Sequence, residues 1–256
     1  MSVAQENSEK PTLVFIPGAW HTPEYYSNVI SQLKASGFPA VALQLPSVGG
    51  NDAVTMTDDA SFIQQTTTTL VEEGKDVVLI MHSYGGIPGT ESVKGLSKKE
   101  RNSHGKKGGI SSLVYLSAFM IPTGKSLVDM IGGVFPDFLH LDGTRCTLAG
   151  DKVPEIMYND LSAEEANSWA AKVQYHAAST FASPLTHAGY LDVPTTYLLC
   201  EQDNAIPFPA QQAMVGLRGD DITFHVCKSS HSPMLSMPEK VVDVIREAAG
   251  SSISVH

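Results

Sequence analysis

Cysteine is scarce in this chain, with three residues in 256, and they are scattered. Cys146, Cys200 and Cys227 are odd in number and form no C-x-x-C pair, so neither a disulfide framework nor a zinc site is expected. They read as reduced packing residues, and the expected setting is cytoplasmic. A hydrophobic run long enough to span a bilayer is also missing. The most apolar stretch, Ile110 to Ile121, is interrupted by three serines. Met1 to Lys10 is polar, so no secretory signal is expected. Positive charge is short: 17 Lys and Arg stand against 27 Asp and Glu, a formal net charge of −10. Such a chain repels phosphate backbones and anionic lipid, so nucleic acid and membrane are not expected partners. A small-molecule substrate is, and a homodimer is the one protein partnership left open. There are no internal repeats and no low-complexity tracts. At 42% hydrophobic and 17% charged, the composition is that of an ordinary globular domain.

Short apolar runs alternate with helical patterns. Strands are predicted at Leu13–Ile16, Ala40–Leu45, Val77–Met81, Ser112–Leu116, Thr195–Cys200 and Ile222–Cys227. Helices are predicted over Tyr25–Ala35, over Asp58–Glu73 with Thr57 as a cap, after Ser83, and over Pro238–Ala249. This alternation predicts an α/β class with about six mostly parallel strands flanked by helices. Two stretches break the rhythm. Ser97 to Gly109 is polar and basic and reads as a solvated loop. Met120 to Leu191 shows no clear strand. Its span Asp160–Ala178 reads as helix, opened by the capping-box pattern Ser162-Ala-Glu-Glu165, and the whole segment reads as an inserted helical cap. The expected organisation is therefore a core of 12–119 and 192–249, a cap of 120–191, and tails at 1–11 and 250–256.

The chemistry-bearing residues sit at predicted strand ends. Met81-His-Ser-Tyr-Gly85 leaves a strand and opens a helix, the setting of a G-x-S-x-G nucleophile turn. A sharp turn there lifts the Ser83 hydroxyl above the sheet, and the helix start aims N–H groups at a developing oxyanion. Met81 occupies the position where glycine is usual. Among nine histidines, His231 follows the last strand and precedes the last helix, which makes it the candidate base; His140, His176 and His187 lie in the cap. After the fifth strand, Cys200-Glu-Gln-Asp-Asn-Ala-Ile-Pro207 offers Asp203 as the acid, with Glu201 as the lesser choice. The turn after the fourth strand contains no carboxylate. Pro17-Gly-Ala-Trp-His21 follows the first strand and is suited to supply an oxyanion N–H from Ala19, with Tyr84 supplying the second. Trp20, His21, Phe119, Phe138 and Trp169 are candidate substrate contacts.

With these motifs, and with Tyr158-Asn-Asp-Leu-Ser162 and Ser-His-Ser-Pro-Met234, the chain resembles the α/β-hydrolase superfamily over about Thr12 to Ala249. Within it, the likeness is nearest to the branch of plant methyl-ester esterases and hydroxynitrile lyases. The resemblance implies an α/β-hydrolase fold and a serine hydrolase working without cofactor or metal on an ester, thioester or lactone. It leaves room for a triad-dependent lyase or a non-catalytic receptor. The apolar cap favours a small or medium neutral ester or lactone.

Overall fold

In the computed structural model, residues 9–250 are described. Most of both expected tails therefore lies outside the described residues. Nine strands occur among those described, in chain order: β1 (Thr12–Ile16), β2 (Ala40–Ala42), β3 (Asp76–Ser83), β4 (Gly109–Ala118), β5 (Leu139–Asp142), β6 (Arg145–Leu148), β7 (His176–Ala177), β8 (Thr195–Cys200) and β9 (Thr223–Cys227).

Six of them form one parallel sheet in the order β2-β1-β3-β4-β8-β9. β1, β3, β4 and β8 are buried almost throughout, as the strands of a parallel sheet covered on both faces are, and apolar residues dominate them. The chain steps outward from β1 to β2 and returns to β3 on the other side of β1. Order reversal at a strand end opens a crevice above the carboxyl ends of the sheet. The expected six-stranded architecture is the one observed. Among the described residues, no helix is long and apolar enough to cross a membrane.

Three local readings are corrected. The helix Met56–Glu72 is capped by Thr55, not Thr57: the Asp58 carboxylate accepts both the amide and the hydroxyl of Thr55 at 2.8 Å. The basic stretch 97–109 is no plain solvated loop. Ser97 caps a helix, Lys98–Ser103, and Arg101 turns inward to donate to the carbonyls of Gly108 and Val71 and to Glu72. The segment expected to be wholly helical is mixed. It carries the helices Leu127–Met130, Val153–Met157 and Ala163–Ala170, and also a small antiparallel sheet, β5-β6-β7. β5 and β6 form a hairpin closed by Gly143 at φ 59°, where a two-residue turn led by glycine matches the twist of the strands.

The departure at Met81 is answered across the turn. Met81 is fully buried, and the helix after the turn, Gly86–Glu91, passes over it at Gly89. A Cβ at Gly89 would lie 2.5 Å from Met81 Sδ and 2.8 Å from its Cγ. Bulk has moved to the strand and the gap to the helix, so their spacing is kept. Gly89→Ala should therefore overpack this contact and cost about 1–3 kcal/mol, and Gly89→Ala with Met81→Ala should cost less than the sum of the two single changes. Denaturant midpoints of the three variants measure this, and strict additivity would mean that the two side chains do not share the space.

Candidate active site

Ser83, at the carboxyl end of β3, has φ 52°. Among the described residues only two other non-glycines have positive φ: Trp20 at 67°, past β1, and Ser117 at 38°, next to the last residue of β4. All three crowd the same edge of three adjacent strands, the clustering expected where strain is kept for a purpose. Tight neighbours enforce it. A Cβ at Gly18 would strike Ser83 Cβ at 2.8 Å, one at Gly85 the Pro17 carbonyl at 2.5 Å, and one at Gly86 the Phe119 carbonyl. Glycine is thus required at these positions because the backbone of one strand end touches the next.

From this turn the Ser83 Oγ lies 2.9 Å from His231 Nε2, and His231 Nδ1 lies 2.8 Å from Asp203 Oδ2. Asp203 Oδ1 accepts the amides of Ala205 at 2.7 Å and Ile206 at 2.8 Å. Its Oδ2 also accepts the Ser117 hydroxyl and, at 3.3 Å, Gln211 Nε2. With the Asp203 side chain fully buried and that of His231 2% exposed, water does not compete for these bonds. Glu201, the other carboxylate of that turn, is exposed. The three residues chosen from sequence therefore meet, each carried by a different strand end.

The crevice in front of Ser83 is lined by Ala19, Trp20, Tyr84, Phe119, Phe138 and Phe181, among other apolar groups, and by His231. Among the described residues no backbone acceptor takes the amide of Ala19 or Tyr84, so both N–H groups are uncommitted beside the serine. Of the candidate contacts, Trp20, Phe119 and Phe138 line this crevice. His21 and Trp169 do not line the cavity. His21 is buried behind Ala19, its Nδ1–H donating to the Ala19 carbonyl at 2.7 Å while its Nε2 accepts the Tyr158 hydroxyl at 2.8 Å. Trp169 packs on Tyr25 with ring centroids 4.8 Å apart, and Lys172 lies over its face.

Several supporting residues carry no sequence signal of their own. His82 Nε2 donates to the His231 carbonyl at 2.8 Å, and Ser117 reaches Asp203. The Tyr158-Asn-Asp phrase ties its segment to the turns that carry Asp203 and His231. Tyr158 bonds His21, Asn159 donates to the Gln202 carbonyl, and Asp160 accepts the Ser230 amide. His176, one of the cap histidines, stacks on Phe181 and meets Tyr84 edge-on. His140 is exposed, and His187 pairs with Asp192.

Against known proteins, a model described as "Alpha/beta hydrolase family" matches residues 13–244. The chain is 35% identical to the alpha/beta hydrolase nvfD of Aspergillus novofumigatus over 96% of this chain and 99% of that one. It is 23% identical to methylesterase 1 of Arabidopsis thaliana, covering 95% and 98% of the two chains. A pyrethroid hydrolase from Sphingobium faniae JZ-2 superposes with a TM-score of 0.74 at 21% identity, over 94% of this chain and 97% of that structure. The resemblance to the branch holding the plant methylesterases is thus met by the sequence relatives.

Two measurements test the geometry. Burial lowers the His21 pKa to about 4 and the His176 pKa to about 3, and pushes His82 well below the ordinary histidine range. Unfolding lets each take up a proton that the folded chain refuses, so below about pH 6.5 they remove stability as the pH falls. Asp59, raised to about 6 by burial, acts in the opposite sense. Three groups outweigh one, at up to about 1.4 kcal/mol per pH unit each, so the melting temperature should drop between pH 6.5 and 4.5, and a flat profile would contradict these burial costs. Asp203→Asn should preserve the fold and lower kcat by about 10³–10⁴, whereas Glu201→Gln should leave it unchanged; steady-state kinetics on both variants distinguish the two carboxylates.

Proposed function

The chain belongs to the alpha/beta hydrolase family, and from that premise we propose that it is a serine hydrolase that cleaves a small or medium neutral carboxylic ester or lactone. The observation that carries this reading is the Ser83–His231–Asp203 relay opening onto an apolar crevice beside two free amides. Ser83 attacks the acyl carbonyl as His231 Nε2 takes its proton. The Ala19 and Tyr84 amides hold the tetrahedral oxyanion, which collapses as His231 returns the proton to the departing alkoxide. Water, deprotonated by the same imidazole, then releases the acid. Asp203 keeps Nδ1 protonated throughout and offsets the charge of the imidazolium.

The lining of the crevice speaks for the substrate class. Its residues include no lysine or arginine, and the polar side-chain atoms of Trp20 and Tyr84 are already bonded to Cys146 and Asp59, which leaves those of Ser83 and His231. A charged acyl group would enter without a partner, at a desolvation cost of several kcal/mol, whereas a hydrocarbon acyl group gains about 25 cal/mol per Å² buried. The same feature weighs against a lyase that expels a small anion, since the described lining holds no lysine or arginine to receive it.

Incubation with a fluorophosphonate should label Ser83 stoichiometrically, with labelling lost in Ser83→Ala and strongly slowed in His231→Ala. Turnover of an ester panel in water enriched in heavy oxygen should place that oxygen in the released acid. Cleavage that depends on Ser83 but leaves every product unlabelled would replace the hydrolase reading with a lyase.

A further inference from the structure

Behind the oxyanion site lies a buried acid that the relay does not use. Asp59, on the helix Met56–Glu72, is 0% exposed. Its Oδ1 accepts the Ser47 amide at 3.1 Å. Its Oδ2 accepts the Ser47 hydroxyl at 2.6 Å and the Tyr84 hydroxyl at 2.8 Å. A carboxylate is rarely buried this deeply, and burial pushes its pKa up to about 6. Its presence therefore calls for a reason beyond joining two loops, because an apolar pair of the same volume would join them at less cost.

Tyr84 supplies that reason. Its backbone N–H is one of the two amides beside Ser83, and it sits at the strained turn itself, one residue from φ 52°. Its side chain is restrained on every side. His176 meets the ring edge-on at 4.6 Å between centroids and Phe181 at 5.8 Å, while Asp59 takes the hydroxyl. Ring packing alone permits the phenol to slide in its slot; the hydrogen bond to a charged acceptor, shorter and stronger than a neutral one, fixes its depth. A side chain fixed in depth restricts the peptide plane that carries the Tyr84 N–H. A small misalignment of such a donor is felt in the transition state, where the oxyanion is fully developed, and much less in the ground state.

On the serine-hydrolase reading above, we infer that Asp59 is a positioning residue: it sets the oxyanion hole through the Tyr84 side chain. Ser47 serves as the control, since it shares the carboxylate but not the site. Tyr84→Phe removes one hydroxyl and keeps the ring, and Asp59→Asn keeps the shape and removes the charge.

The test uses the full chain, p-nitrophenyl butyrate as substrate, a trifluoromethyl ketone as a mimic of the oxyanion, and a fluorophosphonate. Tyr84→Phe and Asp59→Asn should each lower kcat roughly tenfold with KM unchanged, the signature of an interaction made in the transition state. Affinity for the trifluoromethyl ketone should fall by the same factor, and the fluorophosphonate should react more slowly. The double variant should be no slower than either single one. Ser47→Ala should lower the melting temperature and leave kcat in place. A folded Tyr84→Phe protein with wild-type kcat and ketone affinity overturns the inference, as does a Ser47→Ala variant that loses kcat equally. Should Asp59→Asn fail to fold, Tyr84→Phe alone decides the matter. Failure of the wild-type chain to react with the fluorophosphonate removes the hydrolase reading, and the inference with it; wild-type labelling with an unaltered Tyr84→Phe rate removes only the inference.

Discussion

The structure depends on how closely the end of β3 can pass its neighbours. Ser83 is held at φ 52° because the chain must turn from strand to helix within two residues, and that turn is wedged between Pro17-Gly18 on one side and Phe119 on the other. A non-glycine residue in this conformation costs on the order of 1 kcal/mol or more. The cost is met by packing that exists only when β1, β3 and β4 are all in register. The register shift between His82 and Ser83 marks where the pairing gives way. Everything chemical follows from that wedge. It presents the hydroxyl to His231 and brings Tyr84 and the Ala19 turn to the lining of the same crevice.

Much of this was legible from the sequence because the fold places function at strand ends, and strand ends are easy to find. Apolar runs that stop at Ser83, before Asp203 and before His231 locate three residues separated widely in the chain, and parallel pairing brings those ends to one edge of the sheet. The choice of Asp203 over Glu201 rested on the turn Asp203 to Pro207. In the structure Asp203 folds back to accept the amides of Ala205 and Ile206, two and three residues on in that turn. Where the reading fell short, the information was tertiary. His21 stands next to Trp20 in sequence, yet it faces Tyr158 rather than the cavity. Trp169 is on the cap helix but on the side that meets Tyr25. The β5–β6 hairpin did carry a local signal, Asp142-Gly143 between alternating Leu139, Leu141, Cys146 and Leu148. It is short, and His140, Asp142 and Arg145 dilute its strand character. Gly89 likewise weakens its own helix, and a glycine there has meaning only once Met81 is known to lie beneath it.

The buried histidines show how the relay keeps a single charge. The nitrogen of His21 that faces the Ala19 carbonyl must carry a proton, and so must the nitrogen of His82 that faces the His231 carbonyl. Each thus donates from one nitrogen while neutral. Burial holds both below the ordinary histidine range, and the charge of His231 adds to the effect. On the hydrolase reading, a second imidazolium in this cluster, with the His82 and His231 ring centroids 4.8 Å apart, would oppose the positive charge that His231 would gain on taking a proton from Ser83. Neutral histidines instead give a hydrogen bond to each backbone segment that needs one and leave Asp203 as the charged side chain bonded to His231. A leucine in place of His82 would fill similar space but strand the His231 carbonyl, and a lysine would satisfy it at the expense of the imidazolium. Histidine kept dry is the side chain that meets both demands, which explains why an apolar floor beneath the triad contains two of them.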